Sequence, residues 1–306
     1  MSSFSIHKDT RPGPVHLTVS DLSRSLEFYR HVLGFKLLVK SGNMAGLTVD
    51  EKALLVILTE IPGVSPQPPH TSGLYHFAIL LPSRLDLARS LNRLRETRYP
   101  LGGCSDHAVS EALYLEDPDG NGIELYWDRP RSVWPFRNGI LAMTTDPLDL
   151  KGLVAEALRE YRPWESLSSQ ATIGHIHLHV GDLASAETFY SLGLGFDVMS
   201  RYRSGALFLS TGGYHHHIGI NVWSGEGAPP PPENSAGLRY FTLCVPDQER
   251  LDQLAAHLDR MSIPVQGNGE GIFLRDPAGN GVFVMTGLAP GLSQNLPGIE
   301  ELKKAS

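Results

Sequence analysis

The chain repeats itself, and this internal repeat restricts the fold more than any other feature of the sequence. The segment VHLTVSDL at residues 15–22 reappears as IHLHVGDL at residues 176–183, at an offset of 161 residues. The turn sequence DPDGNG at 117–122 reappears as DPAGNG at 276–281, at an offset of 159. The second half of the chain is therefore a diverged copy of the first.

Each half also divides into two units with the same order of elements. In the first half, alternating residues predict a strand at 14–20, and Asp21 caps a helix that Gly34 closes. Strand candidates follow, and after a Pro-rich loop the same order begins again. The sequence thus predicts an α+β fold of four β-α-β-β-β units. The predicted parts are a first domain at 11–128, a helical linker at 129–170, a second domain at 171–287 and a C-terminal tail at 288–306.

A hairpin in the first half carries a carboxylate in an unusual place. Leu113–Leu115 and Ile123–Trp127 are predicted strands on either side of the turn sequence DPDGNG. Glu124 lies between two apolar neighbours in the second strand, and its side chain shares a face with Tyr126. Because a buried charge is costly unless it is paired or bound to a metal, Glu124 is either a solvent-facing edge residue or a metal ligand.

The composition is that of an ordinary globular chain, with 306 residues of which 41% are hydrophobic and 19% charged. The net charge of -7 does not favour nucleic acid or an anionic membrane surface. The apolar runs are too short to cross a bilayer, and the N-terminus has no apolar core like that of a signal peptide. With two cysteines, Cys104 and Cys244, there is no disulfide framework, so a cytoplasmic location is expected.

Four such units in two pairs resemble the vicinal oxygen chelate superfamily, which includes glyoxalase I, drug-resistance proteins and extradiol ring-cleaving dioxygenases. The resemblance implies two tandem cup-shaped domains. It also implies that metal ligands come from the first strand of each unit and the last strand of the second unit. Carried onto this sequence, these positions are His16, His76 and Glu124. Two imidazoles and a carboxylate match the facial triad of non-haem iron enzymes, so the implied cofactor is Fe(II), with Mn(II) as the alternative.

The hairpin resembles the extradiol dioxygenase signature, which has a His, a hydrophobic residue followed by Tyr, an acidic-Pro-x-Gly turn and a Glu. His107, Tyr114 and Glu124 stand at these positions, while Ser105 departs from the residues usual at its place. The resemblance implies that His107 hydrogen-bonds bound oxygen or substrate and that Tyr114 contacts a substrate hydroxyl. The alternative is that both are ordinary strand residues.

Two further residues are predicted to contact the substrate. Tyr126 shares the face of Glu124, although an aromatic residue on a strand is more often there for packing. His70 lies in the loop before the His76 strand. It is a weak substitute for the acid/base His that related enzymes place upstream of their second ligand, because no residue matches that spacing.

In the second half, Tyr240 and Phe283 stand at the second and third ligand positions, so the metal is predicted in the first half. The same half has a run of histidines that could form a second metal site, with a structural or interface role as the alternative. This secondary cluster comprises His177, His215, His216 and His217.

With the resemblance, these residues predict a dioxygenase that cleaves a catechol-type ring next to its diol with O2 at a mononuclear Fe(II) site. The expected partners are the aromatic substrate and O2, without nucleic acid or membrane, and the expected assembly is a homo-oligomer. Two alternatives stay open: a glyoxalase-type metal-dependent lyase or isomerase, and a metal-free protein that binds an aromatic drug. The sequence offers no obvious fourth ligand, which weighs against the first, and the His-His-Glu set weighs against the second.

Overall fold

The computed structural model describes residues 4–138, 140–202, 205–267 and 271–287, and it contains the four predicted units in order. The predicted tail at 288–306 lies outside the described residues. Unit 1 comprises β1 (Arg11–Val19), α1 (Leu22–Glu27), β2 (Lys36–Ser41), β3 (Met44–Thr48) and β4 (Val56–Glu60). Unit 2 comprises β5 (Gly73–Leu81), α2 (Arg84–Thr97), β6 (Gly103–Asp106), β7 (Ser110–Glu116) and β8 (Gly122–Asp128).

The linker contains the short strands β9 (Phe136–Arg137) and β10 (Ile140–Leu141) and the helix α3 (Leu150–Arg159). Unit 3 comprises β11 (Thr172–His179), α4 (Leu183–Glu187), β12 (Asp197–Tyr202), β13 (Ala206–Ser210) and β14 (Ile218–Asn221). Unit 4 comprises β15 (Gly237–Val245), α5 (Gln248–Arg260), β16 (Gln266–Gly267), β17 (Gly271–Arg275) and β18 (Gly281–Thr286).

The helix of every unit begins at a side-chain cap, which the sequence pattern already indicated for Asp21. The carboxylate or hydroxyl of the capping residue accepts a hydrogen bond from a backbone N–H of the first turn. In units 1 and 3 the helix continues as a π-helical turn and ends at Gly34 and Gly195, whose φ angles of +89° and +84° suit glycine. The capping residues are Asp21, Ser83, Asp182 and Asp247.

The strands of the four units form two eight-stranded sheets, and β9 pairs with β10 in a separate two-stranded sheet. The outer-unit sheet combines units 1 and 4 in the order β16-β17-β18-β15-β1-β4-β3-β2. The inner-unit sheet combines units 2 and 3 in the order β12-β13-β14-β11-β5-β8-β7-β6. The α+β fold class and the paired-unit architecture are therefore as the sequence predicts.

Each sheet nevertheless draws one unit from each half, whereas the predicted domains at 11–128 and 171–287 pair the units within a half. β1 runs antiparallel to β15, and β5 runs antiparallel to β11. The loops that connect successive units lie side by side, with a bridge between Ser65 and Ser235. The first strand of every unit needs a partner for its free edge, and all four first strands have similar patterns. Local periodicity therefore cannot determine which two strands pair.

The two sheets differ on the face that lies away from the helices. On β5, Phe77 and Ile79 are fully buried in the core shared with the helices, while His76 faces the opposite side, which we call the cup. The cup of the inner-unit sheet holds polar and aromatic side chains. The corresponding face of the outer-unit sheet is filled by an apolar cluster of Met44, Leu54, Ile57, Tyr240, Cys244, Phe283 and Met285.

The linker joins the fold at two places. α3 packs on α2, and Arg84 forms ion pairs with Glu111 and Glu156. Trp134 is buried against Tyr214 beside the inner-unit cup. In the part of the chain that the structure describes, no helix is both long and apolar enough to span a membrane.

Candidate metal centre and active site

Three donor side chains meet in the inner-unit cup: His76 on β5, Glu124 on β8 and His175 on β11. Oε2 of Glu124 lies 2.9 Å from Nε2 of His76 and 2.9 Å from Nε2 of His175. The two imidazole nitrogens lie 3.3 Å apart. All three residues are buried. Among the described residues this is the one group of His, Cys, Asp or Glu whose ligand atoms are close enough to share an ion.

A β-bulge precedes each of the two histidines. In the antiparallel pairing of β5 with β11, Tyr75 is an extra residue on one strand and Gly174 is an extra residue on the other. Bulges bend a strand and redirect the next side chain, and they are common beside active sites. The matched bulges bring His76 and His175 to equivalent positions on opposite sides of the cup.

The strand register also identifies the position that would supply a fourth ligand. On the unit 2 side, Ala78 of β5 pairs with Glu124 of β8. On the unit 3 side, the equivalent residue His177 pairs with Gly219 of β14. A Cβ at Gly219 would come within 2.9 Å of the His177 ring, so this position has no room for a side chain. The three donors therefore leave one side of the site without a protein ligand.

The electrostatics of the group fit a bound cation. Burial would raise the pKa of Glu124, but His175 and His76 outweigh this effect and hold the pKa well below its usual range. Burial lowers the pKa of His175 to about 4, so its ring is neutral at pH 7. A buried carboxylate is costly without a positive partner. The donor set suits a divalent transition metal such as iron or manganese.

Tyr114 and His107 form a second pair at the edge of this group. Tyr114 lies directly opposite Glu124 in the β7–β8 ladder, and its ring is 5.5 Å from that of His76. Nδ1 of His107 lies 2.7 Å from the backbone carbonyl of Thr144 and must donate to it, so Nε2 can accept. The Tyr114 hydroxyl, 2.7 Å from that Nε2, therefore donates to His107 and keeps its lone pairs for another hydrogen bond.

His16 does not join the group, because it lies in the outer-unit sheet. Its Nε2 is 2.7 Å from the Thr59 hydroxyl, and its ring packs edge-on against Tyr240 at 5.0 Å. Burial, with a smaller effect of Arg239, lowers its pKa to about 3. The expectation that all three donors belong to the first half is therefore corrected: His175 of the second half stands where His16 was expected.

A spacing in the sequence separates the two candidates. His76 and His175 both lie seven residues before the side chain that caps the next helix, whereas His16 lies five residues before Asp21. The residue seven positions before Asp21 is Pro14, which has no ligand atom. The match of His16 to His177 across the repeat is real, but neither residue is at the position that His76 and His175 share.

The other predicted site residues lie at varying distances from the group. Tyr126 is buried with its ring 4.9 Å from His175, but its hydroxyl bonds that of Tyr214 at 2.8 Å. His70 is exposed, and its Nδ1 lies 3.1 Å from the carbonyl oxygen of Ser224 in the loop after β14. These contacts are structural. Substrate contact by either residue stays a prediction.

The predicted secondary cluster does not gather around one point. The amide Nδ2 of Asn221 donates to Nε2 of His177 at 3.0 Å, and Nδ1 of His217 lies 2.9 Å from the Ser210 hydroxyl. Within the described residues these histidines form no second group of three donors. The first two residues of the run, His215 and His216, belong instead to a series of hydrogen bonds.

These hydrogen bonds begin at Asp128 and lead toward the group of His76, Glu124 and His175. Oδ1 of Asp128 accepts from Nε2 of His215 at 2.9 Å, so Nδ1 of His215 carries a lone pair. It lies 2.7 Å from Nδ1 of His216, which must then be the donor. The lone pair of His216 is left on Nε2, and its ring lies 4.1 Å from that of His175. The sequence revealed the run of histidines. It did not reveal which of them donate and which accept, because those roles depend on Asp128 in the other half of the chain.

The fold and this site together define the class of protein. The chain matches the Glyoxalase/Bleomycin resistance protein/Dioxygenase superfamily over residues 11–125 and 172–283, and it belongs to that superfamily. Catechol-2,3-dioxygenase of Bacillus subtilis (strain 168) is 48% identical over 283 residues, which cover 92% of this chain and 98% of the relative. Biphenyl-2,3-diol 1,2-dioxygenase 3 of Rhodococcus globerulus is 35% identical over 170 residues, covering 51% of this chain and 85% of the relative. The chain is thus a dioxygenase of its superfamily.

Solved structures agree on the fold. A putative dioxygenase from Bacillus subtilis aligns with a TM-score of 0.63 at 12% identity, covering 94% of this chain and 86% of that one. Glyoxalase I from Zea mays aligns with a TM-score of 0.52 at 15% identity, covering 91% and 92%. At such identities the likeness concerns the arrangement of elements alone.

Proposed function

We propose that this dioxygenase cleaves a catechol-type ring next to its diol with O2, and that His76, His175 and Glu124 hold one Fe(II) ion for the reaction. The observation that carries the proposal is the convergence of these three donors beside the empty fourth position at Gly219. The 48% identity to a protein named catechol-2,3-dioxygenase supports the substrate class. Mn(II) accepts the same donors and is the alternative metal.

An iron ion in this place would supply Lewis acidity and adjacent open positions where two reactants can meet. The remaining chemistry falls to the side chains around it. Tyr114 is placed to accept a hydrogen bond from a substrate hydroxyl, because its own proton is directed to His107. His107 is fixed in one tautomer by the Thr144 carbonyl, so it can take up that proton and return it.

His216 is a candidate for the acid/base group that the sequence did not identify. Its Nε2 lone pair is enforced by the Asp128–His215 hydrogen bonds, and the ring lies against His175. A proton taken from the substrate at Nε2 of His216 could be stabilised along this chain by the Asp128 carboxylate. The side chain of Asp128 is partly exposed, which connects the chain of hydrogen bonds to solvent.

The two alternative functions have less support. A metal-dependent lyase or isomerase with four protein ligands would need a donor where Gly219 stands. A metal-free drug-binding protein would have to bury the Glu124 carboxylate with no cation nearby. The cytoplasmic location and the homo-oligomer stay predictions, as does the lack of nucleic-acid and membrane partners.

The direct test is reconstitution with Fe(II) under nitrogen, followed by catechol and air. We expect O2 uptake in a 1:1 ratio with catechol and a rise of visible absorbance from the ring-fission product. Parallel samples loaded with Mn(II), Zn(II) or Ni(II) separate the classes. A glyoxalase-type enzyme would work anaerobically and tolerate Zn(II) or Ni(II), and absence of O2 uptake with every metal would refute the proposal.

A further inference from the structure

His107 lies in the tight turn between β6 and β7, and the backbone of this turn is strained. Ala108, the next residue, has a φ angle of +64°, which residues other than glycine rarely adopt. Oδ1 of Asp106 accepts a hydrogen bond from the backbone N–H of Ala108 at 2.8 Å, and the N–H of His107 donates to the carbonyl of Ser110 at 2.8 Å. Strain of this kind persists only where the surrounding contacts enforce it, and it is common at functional sites.

The linker supplies part of these contacts, although it belongs to neither copy of the repeat. Asp106 and Asp146 exchange two backbone hydrogen bonds of 2.9 Å each. The N–H of Thr144 donates to the His107 carbonyl at 3.2 Å, and the Thr144 carbonyl accepts from Nδ1 of His107 at 2.7 Å. The linker therefore pairs with the edge of the turn and contacts both the backbone and the ring of His107.

Arg129, the first residue of the linker, holds both ends of the turn. Its guanidinium Nη2 donates to Oδ2 of Asp106 at 2.6 Å, and Asp106 directly precedes His107. Its backbone N–H donates to the carbonyl of Val109 at 2.8 Å, and Val109 directly follows Ala108. One residue thus fixes the turn on both sides of His107 and Ala108.

Arg129 is itself held by a buried carboxylate. Its Nη2 also donates to Oε1 of Glu111 at 2.9 Å, and Oε2 of Glu111 accepts from Nε of Arg84 at 2.8 Å. Glu111 is 4% exposed, and Arg84 pairs in turn with Glu156 of α3. A shift of Arg129 would leave the buried Glu111 carboxylate with one cation fewer, which is costly. The guanidinium of Arg129 therefore has a fixed position.

The tautomer of His107 depends on the position of the turn. Nδ1 donates to the Thr144 carbonyl, which leaves the lone pair on Nε2 for the Tyr114 hydroxyl 2.7 Å away. If the turn relaxes, the hydrogen bond to Thr144 weakens and the ring proton can move to Nε2. The ring would then present a donor to Tyr114 and could not accept its proton.

We propose that Asp106 and Arg129 are positioning residues for the reaction: their ion pair holds the β6–β7 turn so that the lone pair on Nε2 of His107 faces Tyr114. This inference rests on the proposed function, which assigns proton transfer to His107, and it adds the residues that direct this histidine. The alternative is that the ion pair contributes to stability alone, as partly exposed ion pairs do to a small extent.

The first measurement compares steady-state kinetics with catechol in the Fe(II)-loaded wild type, Arg129→Gln and Arg201→Gln. Arg201→Gln is the matched control, because it removes an ion pair with Glu187 that connects β12 to α4. In Arg129→Gln, kcat should fall about tenfold while KM stays within about twofold, because a displaced proton acceptor slows the chemical step more than it weakens binding. Iron content should stay at the wild-type level, since none of the three donors is changed.

A milder variant covers the case in which Arg129→Gln does not fold, which circular dichroism would show. Asp106→Asn keeps the acceptor for the Ala108 N–H but loses the charge that pairs with Arg129. It should lower kcat in the same way, to a smaller extent.

A second measurement does not depend on turnover: two-bond nitrogen–proton correlation spectra of the imidazole rings in metal-free protein. The signals of His107 are assigned by their absence from His107→Gln. In wild type and Arg201→Gln, His107 should show one tautomer with its proton on Nδ1. In Arg129→Gln the ring should exchange between both tautomers.

A loss of kcat in Arg129→Gln with an unchanged tautomer, or an equal loss in Arg201→Gln, would overturn the positioning role. If the wild type cleaves no catechol but the tautomer changes in Arg129→Gln, the proposed reaction fails and the positioning of His107 stands. If catechol is cleaved and Arg129→Gln keeps the wild-type kcat, the positioning role alone fails.

Discussion

At the scale of single residues, Glu124 shows how one buried charge can organise a site. Its carboxylate is removed from water, yet its pKa is held low by two histidines that are themselves packed in the cup. Both Glu124 and His76 were predicted from the sequence, because each interrupts an apolar strand and the family resemblance explains the interruption. His175 was not predicted. It lies among alternating histidines of β11, and alternation alone cannot single out one of them.

Tyr114 offers a test at this scale. Replacing it with Phe removes the hydroxyl that hydrogen-bonds His107 but leaves the packing of the ring. We expect kcat to fall at least about tenfold, while iron content and thermal stability stay close to wild type, because the hydroxyl is placed for substrate rather than for metal binding. Steady-state kinetics of the Fe(II)-loaded protein measures this.

The matched control is Tyr126→Phe, which changes a fully buried tyrosine of the same cup, whereas Tyr114 is partly buried. Its hydroxyl bonds Tyr214, so its loss should change stability more than kcat. If the two variants lose activity equally, or if Tyr114→Phe keeps full kcat, the role given to Tyr114 is incorrect.

At the scale of elements, the β-bulges are the devices that create the site. Each inserts one residue before one of the two donor histidines, His76 and His175. The two inserted residues differ in the space that they need. Tyr75 extends toward the mouth of the cup, whereas Gly174 leaves room for Tyr126. Strand and helix positions were predictable from periodicity and capping residues such as Asp21. The bulges were not, because a single added residue changes the register of a pair without a clear local signal.

The requirement for Gly174 can be measured. A methyl group at this position would overlap the Tyr126 hydroxyl, so Gly174→Ala should destabilise the protein by about 1–3 kcal/mol through overpacking. Urea unfolding followed by circular dichroism would give this difference. Gly103→Ala is the matched control, because its new Cβ would approach no closer than 4.0 Å to Tyr114. Equal stability of the two variants would contradict this account of the bulge.

At the scale of the whole molecule, the pairing of units across the halves decides where the site forms. Unit 2 supplies His76 and Glu124, and unit 3 supplies His175, so neither half contains the complete donor set. The repeat was evident in the sequence, and so was the α+β class. The sequence did not show which units pair. Pairing within a half and pairing across the halves both give the first strand of each unit a partner. His16 illustrates the consequence, since it has the expected chemistry but lies in the other sheet.

The buried histidines predict how the metal-free protein responds to pH. Burial lowers the pKa values of His16 and His217 to about 3 and that of His175 to about 4. Below about pH 6.5 the unfolded chain binds protons at these residues while the folded chain does not, so stability should decrease as the pH falls toward 4. Each residue contributes at most about 1.4 kcal/mol per pH unit.

Urea unfolding of metal-free protein at pH 7.5, 6.5 and 5.5 would reveal this dependence. The free energy of unfolding should decrease slightly from pH 7.5 to 6.5 and more steeply from pH 6.5 to 5.5. His16→Gln should reduce the decrease, since it removes one of the histidines whose pKa burial lowers. Stability that is constant or higher at pH 5.5 would show that these rings can take up protons in the folded state.

The central claim is that the ion is held by His76, Glu124 and His175, and iron content distinguishes His175 from His16 most directly. Each residue is replaced by Gln, the protein is loaded with Fe(II) under nitrogen and desalted, and bound iron per chain is measured. Circular dichroism and thermal unfolding establish that both variants are folded. We predict that His175→Gln loses most of its iron and that His16→Gln, whose amide can still bond Thr59, retains it. Iron lost from His16→Gln and kept by His175→Gln would contradict the account.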